Sequence, residues 1–478
     1  MKHEALYIDG QWVKADGGGV IPVVNPANGE EIGMVPDAGR AETRRAIAAA
    51  EAAFGAFSRT TAAERAAMLH GLADLILERR EDLARLLTEE QGKPLAESRG
   101  EIGMSAAYVR WFAEEARRIY GEIIPSPWES RQLFAMREPV GVVAAITPWN
   151  FPSSMLARKI APALAAGCTV VAKPASQTPF SGLAWGALCA EAGFPKGVVN
   201  IVTGGAREIG AELCENPAVR KLTFTGSTAV GKALLAQAAG TVKTVSMELG
   251  GNAPFIVFDD ADLDAAVAGG IAAKFRNSGQ TCVCTNRFYV QDGIYDAFME
   301  KFVAAVEDLT VGDGLEDGVE QGPLIDVKAL EKVEDFVADA AAHGGRVIAG
   351  GERHALGGTF YQPTVVAEAS EAMKLAREEV FGPVAPVFRF ATEEEAVARA
   401  NATEYGLAAY FYTRDLGRAF RVSRGLEYGI VGVNEGLVTT EVAPFGGYKH
   451  SGIGREGSRH GITDYLEIKY VSMGGLGA

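Results

Sequence analysis

The stretch GVVAAITPWNFPSSMLARKIAPALAAGCTVVAKPAS, residues 141–176, decides the fold that we predict for this chain. It holds a short apolar run at 141–146, a longer segment with a helical pattern at 152–167, and a second short apolar run at 169–172. Apolar runs that alternate with helical segments indicate parallel strands, because each parallel pair needs a long crossover connection. The stretch therefore predicts a β-α-β unit of a parallel sheet.

The same alternation continues after this stretch and then begins again in a second series. The first series reads PFSGLAWGALCAEAG (179–193), VVNIV (198–202), KLTFT (221–225), STAVGKALLAQAAG (227–240) and TVSMEL (244–249). The second reads APFIVFDD (253–260), DLDAAVAGGIAAKF (262–275), RFYVQ (287–291), YDAFMEKFVAAVEDL (295–309) and EEEAVARANATEYGLAAYFYT (393–413). We predict an α/β fold with two parallel-sheet domains, of which the first is of the dinucleotide-binding type.

The segments outside the two series have other patterns. The pattern is helical from residue 41 to about residue 121, with two marked segments at 41–57 and 61–90. Thr61 and Glu64 form a capping box at the start of the second segment, and Gly92 with Pro94 ends that helix. The segments 131–139 and 464–472 have strand patterns, and the latter alternates apolar and polar residues. A strand of that kind exposes an edge when left alone, so we expect the two segments to form an arm that pairs with another subunit.

Composition limits the partners and the compartment. The 478 residues are 48% hydrophobic and 22% charged, as in a globular protein of two or three domains, and the formal net charge is -15. That charge repels polyanions, so neither nucleic acid nor an anionic membrane is expected as a partner, and an anionic ligand needs a local positive site. Five cysteines without a signal peptide or a long apolar run predict a soluble, cytoplasmic protein without a disulfide framework.

The segment GSTAVGKALL, residues 226–235, comes close to a phosphate-binding P-loop. Gly226, Gly231 and Lys232 fit the pattern G-x-x-x-x-G-K-[ST], but Ala233 replaces the hydroxyl residue that holds Mg²⁺ in an ATPase. A strand, a glycine turn and a helix can still bind an anion through free backbone N–H groups. A P-loop-type ATPase, another phosphate-binding turn and a purely structural turn all remain open from these residues alone.

The segment SGQTCVCTNR, residues 278–287, presents a candidate nucleophile, Cys282, in a glycine-containing turn between a helix and a strand. The six histidines lie in no motif that supports a Cys/His pair, and the sequence lacks the ligand spacing of a zinc site, so we predict no metal. Glu248, at a strand end before two glycines, is the remaining candidate base. A buried, inert cysteine is the alternative interpretation of Cys282.

Seven motifs, in order along nearly the whole chain, closely resemble those of the NAD(P)-dependent aldehyde dehydrogenases. They are TPWNFP (147–152), KPAS (173–176), FTGSTAVG (224–231), MELGGN (247–252), GQTCVC (279–284), EEVFGP (378–383) and PFGGYKHSGIGREG (444–457). The resemblance implies an aldehyde dehydrogenase-like fold, with a Rossmann-like cofactor domain, a catalytic domain and a small β oligomerisation arm. It implies 1–118 and 138–249, with part of 440–463, for the cofactor domain, 250–439 for the catalytic domain, and 119–137 with 464–478 for the arm.

The resemblance also assigns roles to single residues. Cys282 is then the nucleophile, Asn150 and the Cys282 backbone N–H stabilise the oxyanion, and Glu248 is the general base for thioester hydrolysis. The residues that the resemblance assigns to the cofactor are Trp149, Asn150, Lys173, Ser176, Gly226, Ser227, Leu249, Glu379 and Phe381. A catalytically inactive relative is disfavoured because the nucleophile, base and amide are all present.

The residue at position 176 bears on the choice of cofactor. Relatives that prefer NAD commonly have a glutamate there, which binds the adenosine ribose and repels a 2′-phosphate. Ser176 beside Lys173 offers a 2′-phosphate a cation and no anion. We therefore expect NADP to be preferred and NAD to be accepted.

The substrate assignment rests on the segments around Cys282 and near the C-terminus, which look most like family members that oxidise succinate semialdehyde. By that resemblance Arg158, Arg276 and Thr440 bind the distal carboxylate, and glutarate semialdehyde, one methylene longer, is the nearest alternative. Cys284 is a candidate redox partner that could form a disulfide with Cys282. We expect a homo-oligomer, either a dimer or a tetramer.

Overall fold

The computed structural model describes residues 2–475, and every structural statement below refers to that part of the chain. The predicted cofactor domain begins at residue 1 and the predicted arm ends at 478, so residue 1 and residues 476–478 of these predictions lie outside the described residues.

The strands are, in chain order, β1 (Leu6–Ile8), β2 (Gln11–Val13), β3 (Val20–Val24), β4 (Glu31–Pro36), β5 (Glu122–Ile124), β6 (Gln132–Pro139), β7 (Val142–Ile146), β8 (Thr169–Lys173), β9 (Val199–Ile201), β10 (Val219–Thr225), β11 (Thr244–Glu248), β12 (Ala253–Val257), β13 (Thr285–Gln291), β14 (Arg346–Ala349), β15 (Thr364–Ala367), β16 (Val384–Phe390), β17 (Ala408–Tyr412), β18 (Ile430–Val433), β19 (Gly452–Ile453) and β20 (Leu466–Met473).

The α-helices are α1 (Arg40–Phe57), α2 (Ala62–Glu78), α3 (Arg80–Gln91), α4 (Leu95–Ala116), α5 (Ser154–Ala166), α6 (Pro179–Glu191), α7 (Ala206–Glu215), α8 (Thr228–Ala238), α9 (Leu263–Phe275), α10 (Tyr295–Glu307), α11 (Val327–Ala342), α12 (Glu393–Asn401) and α13 (Leu416–Gly425).

The first sheet has the order β19-β11-β10-β7-β8-β9-β1-β2. Its five central strands, β11, β10, β7, β8 and β9, are parallel, while β19 and the β1–β2 hairpin join the two edges antiparallel. Separate apolar clusters cover its two faces, as in a doubly wound sheet. This confirms the parallel sheet predicted from 141–176.

The second sheet has the order β14-β15-β16-β13-β12-β17-β18 and is parallel except for β14. The third sheet, of order β20-β6-β5, joins the two segments predicted to form an arm, with Ile468 opposite Arg137. The two-domain α/β fold is confirmed. The domain limits given above stay a prediction.

One predicted helix is wrong, and several elements were missed. The segment 61–90 forms two helices, because Arg79 has φ -100° and ψ 18° and ends α2 without a proline or glycine to signal it. The predicted capping box at Thr61 and Glu64 is present, and Gly92 closes α3 in the left-handed region at φ 94°. The predicted patterns leave out the strands β1–β5, β14–β16, β18 and β19 and the helices α7, α11 and α13.

Candidate active site

The candidate residues of the first domain meet because they follow neighbouring parallel strands. Asn150 lies just after β7, Lys173 ends β8, Gly226 and Ser227 follow β10, and Glu248 ends β11. The carboxyl ends of parallel strands share one edge of the sheet, which is where open α/β sheets bind ligands. The sheet therefore gathers residues that are far apart in sequence.

Cys282 comes from the second domain, on a loop with an unusual backbone. After α9 the chain makes a short turn at Arg276–Gly279, in which Asn277 and Ser278 both have φ 53°, a region that few residues other than glycine adopt. Gly279 is also left-handed, and a Cβ there would overlap the carbonyl oxygen of Gly382. This bent loop delivers Cys282, partly exposed, just before β13.

Two cavities meet at Cys282. The first, which we name the arginine cavity, has a volume of about 200 Å³ and is lined by Glu97, Gly100, Glu101, Met104, Phe151, Ser154, Met155, Arg158, Arg276, Thr281, Cys282, Val283, Thr439 and Phe445. The second, the glycine cleft, has a volume of about 340 Å³ and is lined by Pro148, Trp149, Asn150, Met155, Thr225, Gly226, Ser227, Leu249, Gly250, Cys282, Ile325, Asp326, Lys328, Ala329, Lys332, Glu379 and Phe381. The thiol is thus accessible from both sides.

The arginine cavity brings together the two predicted carboxylate-binding arginines. The Arg158 side chain is 3% exposed, and its Nε and Nη1 atoms have no hydrogen-bond partner among residues 2–475; Nη1 lies 3.8 Å from Glu456 Oε2. Its guanidinium carbon lies 4.9 Å from the Tyr108 ring centroid and 4.4 Å from that of Phe445. Unpaired buried donors on a cation favour an anionic ligand.

Thr440 is the one predicted carboxylate ligand that does not reach this cavity. Its hydroxyl donates to Glu441 Oε2 at 3.1 Å, and its carbonyl accepts a hydrogen bond from the Tyr108 hydroxyl at 3.2 Å. The neighbouring Thr439 lines the cavity instead. The sequence could not predict which of these two neighbouring threonines lines the cavity, because no strand or helix period fixes the direction of side chains in an irregular loop.

The glycine cleft fits a dinucleotide. Gly226 and Ser227 line the cleft at the start of α8, where a Cβ on Gly226 would lie 2.5 Å from the Phe224 ring and the Ser227 side chain makes no capping hydrogen bond to the first turn. A helix start of this kind attracts phosphate. The rings of Trp149 and Phe381 pack edge to face, with their centroids 5.5 Å apart at 86°, and form part of the apolar wall of the cleft.

Glu379 closes the same cleft on the side of the second domain. Its Oε1 accepts a hydrogen bond from Gly251 N at 3.1 Å, and burial raises the pKa of the carboxyl group to about 7. The free oxygen can accept a hydrogen bond from a sugar hydroxyl. Leu249 also lines the cleft, as predicted, between the strand that ends at Glu248 and the glycine pair.

Lys173 and Ser176 lie at the same sheet edge but outside the lining of the glycine cleft. Lys173 Nζ donates to the Pro174 carbonyl at 3.2 Å, and burial lowers the pKa of the lysine to about 8. Ser176 is half-buried beside Gly204. The binding of Lys173 and Ser176 to the cofactor stays a prediction.

The surroundings raise the pKa of both candidate proton-transfer groups. Burial raises the pKa of the Cys282 thiol to about 12, and the nearby Arg158 cation opposes that shift. Burial, with the Glu456 carboxylate second, raises the pKa of Glu248 well above its usual range. Neither Glu248 oxygen has a hydrogen-bond partner among the described residues, and Oε1 lies against Gly446. A strongly shifted, unpaired carboxyl group beside a thiol is typical of a catalytic pair.

Several residues behind Asn150 were missed by the sequence reasoning. The Asn150 carbonyl accepts hydrogen bonds from Lys93 Nζ at 2.6 Å and Asn277 Nδ2 at 3.0 Å, and its side-chain amide donates to the Gln280 carbonyl at 2.9 Å. Lys93 pairs with Glu101. Lys93 and Glu101 are eight positions apart with a helix start between them. That spacing is also common on protein surfaces, so the sequence does not predict that the pair is buried.

Cys284, the predicted redox partner of Cys282, faces away from the loop. Its sulfur accepts a hydrogen bond from Lys274 Nζ at 3.4 Å and donates to the Lys274 carbonyl at 3.2 Å. All five cysteines are free thiols. The disulfide with Cys282 stays a prediction.

No group of three or more His, Cys, Asp or Glu side chains among residues 2–475 is arranged to hold a metal ion. No helix within the same range has the length and apolar character needed to cross a membrane.

Comparison with known proteins gives consistent results. The profile of the aldehyde dehydrogenase family matches residues 12–471. The chain is 60% identical to glutarate-semialdehyde dehydrogenase of Pseudomonas aeruginosa over 99% of this chain and 98% of that protein. It is 58% identical to succinate-semialdehyde dehydrogenase [NADP(+)] GabD of Escherichia coli, again over 99% and 98%. The crystal structure of an NADP-dependent enzyme of E. coli superimposes with a TM-score of 0.98 at 57% identity, covering 99% of this chain and 98% of that one.

Proposed function

We propose that this chain, which belongs to the aldehyde dehydrogenase family, oxidises succinate semialdehyde or a near homologue to the dicarboxylate with NADP or NAD. The observation that carries the proposal is that Cys282 lines two cavities at once. One has the features of a dinucleotide cleft and the other holds two arginines. An aldehyde anchored by a distal carboxylate can therefore present its carbonyl carbon to the thiol and to the nicotinamide together.

The first step forms a bond between the Cys282 sulfur and the aldehyde carbon. The thiol proton passes to a water molecule, the sulfur adds to the carbonyl carbon, and the carbonyl oxygen becomes an alkoxide. The Cys282 backbone N–H and the second N–H of the Asn150 amide, whose first is held by Gln280, stabilise that charge. A bound nicotinamide dinucleotide supplies the acceptor for the hydride that leaves this carbon, and Cys282 is left as a thioester.

The second step returns the thiol. Glu248 takes a proton from water, and the resulting hydroxide adds to the thioester carbon. The C–S bond then breaks, and the proton of the new carboxylic acid passes to the leaving sulfur, which gives the carboxylate product and the Cys282 thiol; Glu248 later releases its proton to solvent. The raised pKa of Glu248 makes it a stronger base than an exposed glutamate. Its carboxyl group now lies against Gly446, so the proposal requires the side chain to rotate toward the sulfur.

Arg158 and Arg276 bind the distal carboxylate in this proposal. Both line the arginine cavity with Cys282, and guanidinium groups pair with carboxylates through two parallel hydrogen bonds. Glutarate semialdehyde is the second candidate, favoured by the name of the P. aeruginosa relative. One methylene changes the binding free energy by only about 1–3 kcal/mol, so we expect both aldehydes to be oxidised.

Ser176 and Lys173 support a preference for NADP over NAD, because no carboxylate at position 176 repels a 2′-phosphate. The name of the E. coli relative also includes NADP. We further propose that the β20-β6-β5 sheet is the arm of a homo-oligomer, either a dimer or a tetramer.

The proposal is tested with Arg276→Ala. Truncating one partner of a buried charge pair costs about 2–5 kcal/mol, so kcat/KM for succinate semialdehyde should fall about 30-fold to a few thousandfold. The value of kcat/KM for butanal, which has no distal carboxylate, should fall far less. The measurement is the absorbance of reduced cofactor with both aldehydes, each with NAD and NADP.

The matched control is Arg346→Ala, which removes an exposed arginine from the edge strand β14. It should leave kcat/KM unchanged for both aldehydes. An equal loss on both aldehydes would show that Arg276 positions the Cys282 loop instead, and the carboxylate assignment would then fail.

A further inference from the structure

A fully buried ion pair lies directly behind Asn150. Lys93 Nζ and Glu101 Oε2 are 2.7 Å apart, and the two side chains are 0% and 1% exposed. Lys93 also donates to the Asn150 carbonyl at 2.6 Å and lies 3.7 Å from the ring centroid of Phe151. The cation is thus in contact with the turn that carries the proposed oxyanion-binding amide.

The other oxygen of Glu101 holds the far end of the same turn. Glu101 Oε1 accepts hydrogen bonds from the backbone N–H groups of Ser153, at 2.9 Å, and Ser154, at 3.1 Å, where α5 begins. The Ser153 side chain makes no capping hydrogen bond to the first turn of that helix. One ion pair therefore fixes the turn 150–154 at its carbonyl end through Lys93 and at its N–H end through Glu101.

The turn is also tied to the loop of the nucleophile. Asn277 Nδ2 donates to the Asn150 carbonyl, and Gln91 Nε2 holds the Asn277 side chain by donating to its Oδ1 at 3.0 Å. Gln91 lies two residues before Lys93, so the segment 91–93 contacts both the amide turn and the cysteine loop. A shift of Lys93 would change the separation of Asn150 and Cys282.

Stability alone does not account for such a pair. Replacing a buried ion pair by neutral residues of similar volume often leaves the free energy of unfolding unchanged or improves it. An oxyanion donor, in contrast, must lie within about 2.7–3.1 Å of the developing charge, and an error of about 1 Å can slow catalysis about 100-fold. The contacts of Lys93 and Glu101 all serve that placement.

We infer that Lys93 and Glu101 are positioning residues that hold Asn150 in register with Cys282 for the hydride-transfer step. The inference rests on the proposed function of Asn150 and Cys282, but it does not depend on which aldehyde is the substrate. Neither side chain needs to touch the reacting atoms.

The test is the double variant Lys93→Met/Glu101→Gln. It removes both charges. The new amide at position 101 can still accept the two N–H groups of α5, whereas the new thioether at position 93 cannot donate to Asn150. We expect the melting temperature and the Kd for NADPH to stay close to those of the unchanged protein. The single-turnover rate of cofactor reduction should fall about 10- to 100-fold, equally with succinate semialdehyde and butanal.

Glu90→Gln is the matched control. Glu90 is also a buried carboxylate that accepts two helix-start N–H groups, from Phe180 and Ser181 at 2.8 Å each, but it serves α6 and not the Asn150 turn. This variant should leave the single-turnover rate unchanged. A second double variant, Lys93→Gln/Glu101→Gln, keeps a neutral donor near Asn150 and should recover part of the lost single-turnover rate. It also replaces the methionine variant in the test if that variant does not fold.

A folded double variant with an unchanged single-turnover rate would overturn the inference, as would an equal loss in Glu90→Gln. Failure of the proposed function looks different, because the unchanged protein would then reduce no cofactor with either aldehyde. The single-turnover rate of the variant, divided by that of the unchanged protein, tests the role of Lys93 and Glu101. The rate of the unchanged protein itself tests the proposed function.

Discussion

Glu248 illustrates how much a single side chain depends on its environment. In sequence it is a glutamate at a strand end, yet burial and the Glu456 carboxylate raise its pKa well above the usual range, and both of its oxygens are without partners among residues 2–475. A group with a raised pKa gains its basic form only as the pH increases. The proposed base is therefore expected to be more active at alkaline than at acidic pH.

Glu248→Gln should separate the two proposed chemical steps. The amide cannot accept the proton of water, so thioester hydrolysis should slow by about 100-fold or more while hydride transfer continues. Stopped-flow absorbance should then show a burst of reduced cofactor, close to one per active site, before a slow steady state. Cys282→Ala, which removes the nucleophile, should show neither phase, and absence of the burst in Glu248→Gln would assign Glu248 to activation of the thiol.

At the scale of elements, helix ends are secured by residues near and far in sequence. The start of α2 is secured locally, since Thr61 and Glu64 exchange hydrogen bonds with backbone and side chain. The start of α6 is secured from a distance by Glu90 on α3. Burial raises the pKa of Glu90 to about 8, so this carboxyl group is protonated over most of the neutral range.

Glu90→Gln should change how stability depends on pH. Because the folded-state pKa is above the unfolded value of about 4.5, the native state binds the extra proton, and the stabilising contribution is complete below pH 4.5 and lost as the pH rises from there through 8. Each unit of pKa difference corresponds to about 1.4 kcal/mol. Thermal unfolding at pH 5, 7 and 9 should show the variant gaining stability relative to the unchanged protein as the pH rises; a constant difference would contradict the assignment.

At the scale of the whole molecule, the arm sheet β20-β6-β5 exposes large apolar side chains. On the face that Ile468 and Tyr470 share, the two side chains are 62% and 59% exposed. Isolated exposed apolar residues are ordinary, but two large ones on one face of a three-stranded sheet favour an interface. This agrees with the subunit contact predicted from the alternating pattern of 464–472.

Ile468→Glu/Tyr470→Glu should weaken self-association. Placing two carboxylates in an apolar contact costs several kcal/mol, so we expect the dissociation constant to rise at least about 100-fold, with a smaller mass in sedimentation equilibrium. Glu467→Lys/Lys469→Glu changes the opposite face of β20 and is the control. If both double variants kept the mass of the unchanged protein, the arm would not be the contact.

The sequence by itself determined the parallel sheets, the helix cap at Thr61, and Cys282 and Glu248 as candidates, because periodicity and turn chemistry are local properties of the chain. Asn150 became a candidate only through the family resemblance of the TPWNFP motif. The sequence failed where the outcome depends on contacts between distant segments. The break at Arg79 carries no proline or glycine signal, and Thr439 replaces Thr440 in the arginine cavity because an irregular loop has no period. The burial of Lys93 against Glu101 and Asn150, and the raised pKa of Glu248, exist only once the chain has folded around these groups, since the free energy of a charge is set by the surroundings and not by its own residue.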